Sequence, residues 1–208
     1  MLKKQRQASS AGFSLIELMV AVAIAGVLLA VGVPAFSGWI QNTRIRNTAQ
    51  DIYTGIQQAK TNAVQRNARM RFQLTTDVSS SCALTTTGTA WVINQVDAAT
   101  PDVDASGQCN VAIDDPATTP RIMAVRPPEN NSRVQVTASA SSIVFTGLGK
   151  LPAPLPAADF TIDVTASNGT CAAAGGTLTC LRIIVSPTGQ PRMCNPNPQL
   201  PAGDPQAC

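Results

Sequence analysis

The sequence predicts an α+β protein, with one long N-terminal helix leading into an antiparallel, β-rich, disulfide-bonded C-terminal head. Three observations predict it. An apolar run from Phe13 to Phe36 passes into apolar residues at helical spacing as far as Val64. Beyond Asn67 the composition shifts to Thr, Ser, Val and Gly in short alternating runs, the pattern of half-buried strands. All 6 cysteines lie beyond the apolar run, on one side of it.

The first element opens with Gly12-Phe13-Ser14-Leu15-Ile16-Glu17-Leu18-Met19-Val20. Ahead of it, the leader 1–12 carries Lys3, Lys4 and Arg6 and no acid. From Phe13 to Phe36 the only charged side chain is that of Glu17. At about 1.5 Å per residue, a helix of this length crosses the roughly 30 Å of bilayer hydrocarbon. A lone carboxylate in such a run costs on the order of 3 kcal/mol in lipid unless it is paired, which marks Glu17 as a functional residue. A secretory signal peptide has its small-residue cleavage site after the apolar core. Here Gly12 precedes the core, so a cut after it leaves the hydrophobic helix on the mature chain.

Those residues resemble the class III signal of type IV pilins and type II secretion pseudopilins. The resemblance implies cleavage by prepilin peptidase between Gly12 and Phe13, and N-methylation of Phe13. It also gives Glu17 a role. In an assembled filament the carboxylate would face the free α-amine of a neighbouring subunit's first residue, here Phe13. Opposite charges a few ångströms apart in a low-dielectric core attract far more strongly than in water. Gly26 and Pro34 loosen the helix between them, one by backbone freedom and the other by a lost hydrogen bond. An ordinary transmembrane kink at Pro34, or two helices broken there, are the alternatives.

The helix continues beyond the apolar run. Ile45, Ala49, Ile52, Tyr53, Ile56, Ala59, Ala63 and Val64 share one face, and Arg44, Asn47, Asp51, Gln58, Lys60 and Asn62 share the other. The organisation is therefore a leader 1–12, a transmembrane assembly helix 13–37, an amphipathic continuation 38–68, a β-rich periplasmic domain 69–194 and a Pro-rich tail 195–208. Strands are expected at 69–75, 89–94, 133–137, 142–145, 160–164, 180–185 and 190–194, the last two joined over Ser186-Pro187-Thr188-Gly189. Segments 97–115 and 150–158 and the tail read as irregular.

An even number of cysteines outside the membrane segment suits an oxidising compartment and disulfide pairing. The sequential pairing Cys82–Cys109, Cys171–Cys180 and Cys194–Cys208 is preferred, with Cys180–Cys194 as the competitor. The last bridge would tie down a tail with little other reason to stay ordered. A zinc site is not expected, because there is no Cys-x-x-Cys and His is 0. Asp102-Val103-Asp104-Ala105-Ser106-Gly107 matches the opening of a calcium loop, but Ile113 stands where the late Glu belongs. An acidic surface turn is the expectation there. No metal or cofactor is expected.

Without histidine there is no Ser-His-Asp or Cys-His arrangement, and the chain reads as a substrate of a peptidase rather than as an enzyme. Without the three leader cations, the 15 Lys+Arg fall to 12 against 12 Asp+Glu. Net charge then demands no nucleic-acid partner. Arg66, Arg69 and Arg71 read as a solvated helix end.

The layout narrows the resemblance. The long helix, an Arg-rich strand, Ala90-Trp91-Val92-Ile93 near a cysteine, and a final Leu181–Arg192 hairpin are similar to the GspH/FimT/FimU group of minor pilins and pseudopilins. That resemblance implies a pilin-like fold and a low-abundance subunit that primes type IV pilus assembly at or near the tip. Its partners would be prepilin peptidase, the major pilin, other minor pilins and the inner-membrane assembly platform. It would start in the inner membrane with a periplasmic head and end in the filament. A minor pseudopilin of type II secretion is the alternative. A DNA-uptake receptor is a second, since some members carry Gly-Arg-x-Arg in the last hairpin. Here the segment is Gly189-Gln190-Pro191-Arg192. Only Arg192 remains, with Arg182 across the hairpin, so a structural role for these arginines is preferred over phosphate contact.

Overall fold

The computed structural model describes residue 12 and residues 14–129 and 133–208, excluding the side chains of 31–35. Leader residues 1–11 and Phe13 lie outside the described residues. By compactness the chain divides into Met1–Trp39 and Ile40–Cys208.

Helix α1 runs Leu15–Arg66, unbroken at Gly26 and Pro34. Glu17 in its first turn and Arg66 in its last complement the helix dipole. It stops by a left-handed cap. Asn67 has φ 45°, its amide donates to the Val64 carbonyl, and the Ala68 amide donates to the Ala63 carbonyl. Asn tolerates this conformation better than most non-glycine residues because its short polar side chain bonds locally.

Eight strands follow: β1 Met70–Thr75, β2 Ala90–Gln95, β3 Arg121–Arg126, β4 Val134–Ala138, β5 Ser142–Phe145, β6 Phe160–Ala166, β7 Leu181–Val185 and β8 Pro191–Cys194. They make two antiparallel sheets, ordered β3-β2-β1-β5 and β4-β6-β7-β8. β3 was not among the expected strands. Its run Arg121-Ile122-Met123-Ala124-Val125-Arg126 lies between Pro120 and Pro127-Pro128. Proline cannot donate to a ladder, so such a run reads as loop, yet it is tolerated beside an edge strand, which β3 is. Pro191 opens the other Pro-marked edge, β8.

In the Ile40–Cys208 unit, Ile45, Ala49, Ile52, Ile56, Ala59 and Ala63 of α1 are wholly buried. They join Phe72, Leu74, Trp91 and Ile93 of one sheet and Val136, Ile162, Val164 and Ile183 of the other in one core. Gly55 permits the close approach: a Cβ there would lie 2.8 Å from the Trp91 ring and 2.9 Å from Phe72. The other face of the first sheet has its own small core of Cys82, Val92, Ala105, Cys109 and Ile122. Segment 97–115 folds over that face. Buried Gln73 and Asn94 bond to each other beneath it, and the Ala105 amide reaches the Gln73 side-chain oxygen.

Three disulfides close: Cys82–Cys109, Cys171–Cys180 and Cys194–Cys208, the sequential pairing. The tail is held as well by backbone bonds, Asn195 N to Gln206 O at 2.6 Å and Cys208 N to Asn195 O at 3.1 Å.

Candidate assembly segment and head surface

Gly12 lies outside the helix and is exposed. Ser14 starts the helix. Its hydroxyl accepts the Glu17 amide at 3.2 Å, and its carbonyl accepts the Leu18 amide at 3.2 Å. This is an N-cap, which satisfies one of the four donors a helix leaves free at its start. The signal was present in the sequence as Ser-x-x-Glu before an apolar run, although the role of Ser14 was not anticipated there.

Within this unit Leu15, Ile16, Leu18, Met19, Val20, Val22, Ile24, Val27, Leu28, Leu29, Phe36 and Trp39 are all at least half exposed. Neighbouring positions such as 18, 19 and 20 point in different directions, so the apolar surface goes round the helix rather than along one stripe. The rings of Phe36 and Trp39 stack with centroids 5.6 Å apart. Glu17 is exposed as well. Among the described residues no helix is long and apolar enough to cross a membrane. The described apolar stretch, 15–30, rises about 24 Å, short of the roughly 30 Å a span requires. Phe13 and the side chains of 31–35, which would complete the expected run, lie outside the described set.

On the head, the two arginines considered for phosphate contact both have protein partners. Arg182 grips Asp163 across β6 and β7, Nε to Oδ1 at 2.6 Å and Nη2 to Oδ2 at 3.0 Å. That bond raises the Arg182 pKa further above its ordinary value. Arg192 donates from Nη2 to the Cys208 carbonyl at 3.3 Å, so it helps hold the tail.

The Arg66, Arg69 and Arg71 cluster is not simply a solvated helix end. Arg66 binds Asp114 through both terminal nitrogens, at 3.1 and 3.0 Å. Arg121 meets the same carboxylate at 2.8 Å. The Arg66 hydrogen bond, with Arg121 beside it, holds the Asp114 carboxyl below its ordinary range. Asp114 has φ 61° and its amide donates to the Ile122 carbonyl, which fixes the end of the 97–115 excursion on β3. Arg71 donates to the carbonyls of Val103 and Pro101 and ties down the middle of it. Sequence could not give Arg66 and Arg71 these partners, because they lie 30 to 48 residues away. Asp104 accepts the Ser106 amide at 2.7 Å, an acidic turn. Among the described residues no cluster of His, Cys, Asp or Glu could hold a metal ion. A cleft of about 710 Å³ of mixed polar and apolar lining opens between Arg69, Gln95, Val96, Pro101, Thr118 and Arg121.

Residues 48–189 match the family described as type II transport protein GspH. The chain belongs to that family. Residues 7–33 match the prokaryotic N-terminal methylation motif, which covers the second half of the leader and most of the apolar run. No curated protein matches the chain. Among solved structures, the type IV minor pilin FimU of Pseudomonas aeruginosa PAO1 is 15% identical, with a TM-score of 0.49, over 82% of this chain and 98% of that one. The minor pseudopilin EpsH of the Vibrio cholerae type 2 secretion system is 12% identical, with a TM-score of 0.45, over 74% and 98%. The family match and the methylation motif together make the chain a pilin or pseudopilin of the type IV pilus or type II secretion kind, whose families are structural subunits and not enzymes.

Proposed function

We propose that this chain is a minor subunit of a type IV pilus that primes assembly and forms part of the tip complex. In this reading prepilin peptidase cuts between Gly12 and Phe13 and Phe13 is N-methylated. Segment 13–37 anchors the chain in the inner membrane with its head in the periplasm until it enters the filament. The observation that carries the reading is the exposed apolar first half of α1, most of which lies within a matched methylation motif. Such a surface is costly in water and suits lipid first and neighbouring helices afterwards. Glu17 then pairs with the Phe13 amine of the adjacent subunit, and Gly26 and Pro34 give the helix the freedom to fit. The major pilin, other minor pilins and the assembly platform are the partners.

The alternative is a minor pseudopilin of type II secretion, favoured by the description of the matched family. Deleting the gene and following both surface fibres and exoprotein release separates the two. Loss of piliation with normal release supports the pilus. Normal piliation with impaired release replaces it with the secretion reading. The DNA-receptor reading is weakest, because Arg182 and Arg192 are engaged within the head. A gel shift with duplex DNA at low and high salt tests it, and a salt-sensitive shift would revive it.

A further inference from the structure

We infer that Ser14 is a positioning residue for leader removal: its N-cap bond to the Glu17 amide holds the start of α1 at Leu15 and leaves the Gly12 carbonyl free for cleavage. The inference rests on the processing reading above. Two bonds define the cap, Glu17 N to Ser14 Oγ at 3.2 Å and Leu18 N to Ser14 O at 3.2 Å. Gly12 stands outside the helix, exposed, with nothing within 4 Å of where a Cβ would be.

The chemistry gives that boundary a consequence. In hydrolysis water adds to the Gly12 carbonyl carbon, the bond to the Phe13 nitrogen breaks, and the products are a Gly12 carboxylate and a Phe13 amine. The carbonyl must therefore be free to be polarised. Were the helix to begin one turn earlier, the Gly12 carbonyl would accept the Ile16 amide, as every helical carbonyl accepts the amide four residues on. In an apolar setting the first-turn amides favour that extension, since a donor without a partner is costly there. The Ser14 hydroxyl supplies one such partner, with Gly12 a poor helix former just upstream. The apolar run begins immediately after the cut site, so helix propagation and cleavage compete for the same few residues. Ser14 stands between them.

The test is the rate of leader removal from the full-length precursor in membranes containing prepilin peptidase. The variants are Ser14→Ala, Ser14→Cys, Ser14→Thr, Ser14→Asn and Ser14→Asp. N-cap preference separates Thr, Asn and Asp from Ala by roughly a factor of five in helix-start stability. Processing should slow by about that factor in Ser14→Ala and Ser14→Cys and recover in the other three. Exchange of the Glu17 amide should speed up in Ser14→Ala and recover in Ser14→Thr. If Ala and Cys are cut as fast as Ser, the inference fails. If Thr, Asn and Asp are all as slow as Ala, the peptidase reads the serine itself and the inference fails again. If the unaltered precursor is not cut at all, the processing reading falls instead.

Discussion

From Leu15 to Trp39 the large apolar side chains of α1 whose surroundings are described are exposed; from Ile45 to Ala63 a stripe of the same helix is wholly buried. The difference comes from pattern rather than composition. In the first half apolar residues follow one another around the helix, so no single sheet face could cover them. In the second half they fall at 45, 49, 52, 56, 59 and 63, one stripe, while Arg46, Gln50, Thr54 and Val64 lie exposed off it. The second half is therefore a structural part of the head. The first half has its surface left for something outside the chain, and the head's stability should not depend on it.

The sharpest way to break this contrast is to cut a methylene-rich side chain in each half. Ile56→Ala should cost the head about 2–5 kcal/mol, because the surrounding core cannot close the cavity. Leu28→Ala should change head unfolding by no more than about 0.5 kcal/mol. Urea titration of both variants in detergent, read by near-UV circular dichroism, decides it. Equal losses would mean the halves are not energetically separate.

Next in size is the bridge over the outer face of the first sheet. Replacing both Cys82 and Cys109 by Ser opens a loop of 27 residues and should cost about 3 kcal/mol. By comparison, replacing Cys194 and Cys208 should chiefly release the tail. Limited proteolysis should then cut after 195 with the core transition barely moved.

A smaller effect is expected at Asp51, half-buried at the margin of the buried stripe of α1. Its Oδ2 accepts from Trp91 Nε1 and from Arg126 Nε, each at 3.1 Å. Asp51→Ala leaves the nearly buried indole N–H without that acceptor, at about 1–3 kcal/mol. Urea unfolding at neutral pH measures it. An unchanged midpoint would show the link to be ornamental.

Much of this contrast was legible in the sequence. The two halves of the helix, its end near Asn67, and the strands flanking Trp91 and Ile183 announce themselves through local periodicity, which is a property of neighbours along the chain. Segment 97–132 was not legible. β3 hides between prolines, and its anchors Arg66–Asp114 and Arg71–Val103 join residues that no local pattern relates. Nor does a local pattern give Arg182 its structural partner, because Asp163 lies 19 residues away on the neighbouring strand.

The smallest effect separates those long-range ties from the core. Asp114 has a folded pKa below its ordinary 3.8. A carboxyl lowered in this way favours the folded arrangement above its unfolded pKa, and that contribution disappears as pH falls through the folded value. Amides of 97–120 should therefore lose protection below about pH 3.8, while those of 45–63 keep theirs. Hydrogen exchange along an acid series reads both regions at once. Arg66→Gln should raise the pH at which the first region loosens.

The most direct test of the central claim is Glu17→Ala, scored twice in one strain: by the urea midpoint of the head and by the amount of this chain in washed, sheared surface fibres. The account predicts an unchanged midpoint with the chain absent from the fibres and retained in the inner membrane. A chain still present in fibres at the normal level, or a head that unfolds more easily, would contradict it.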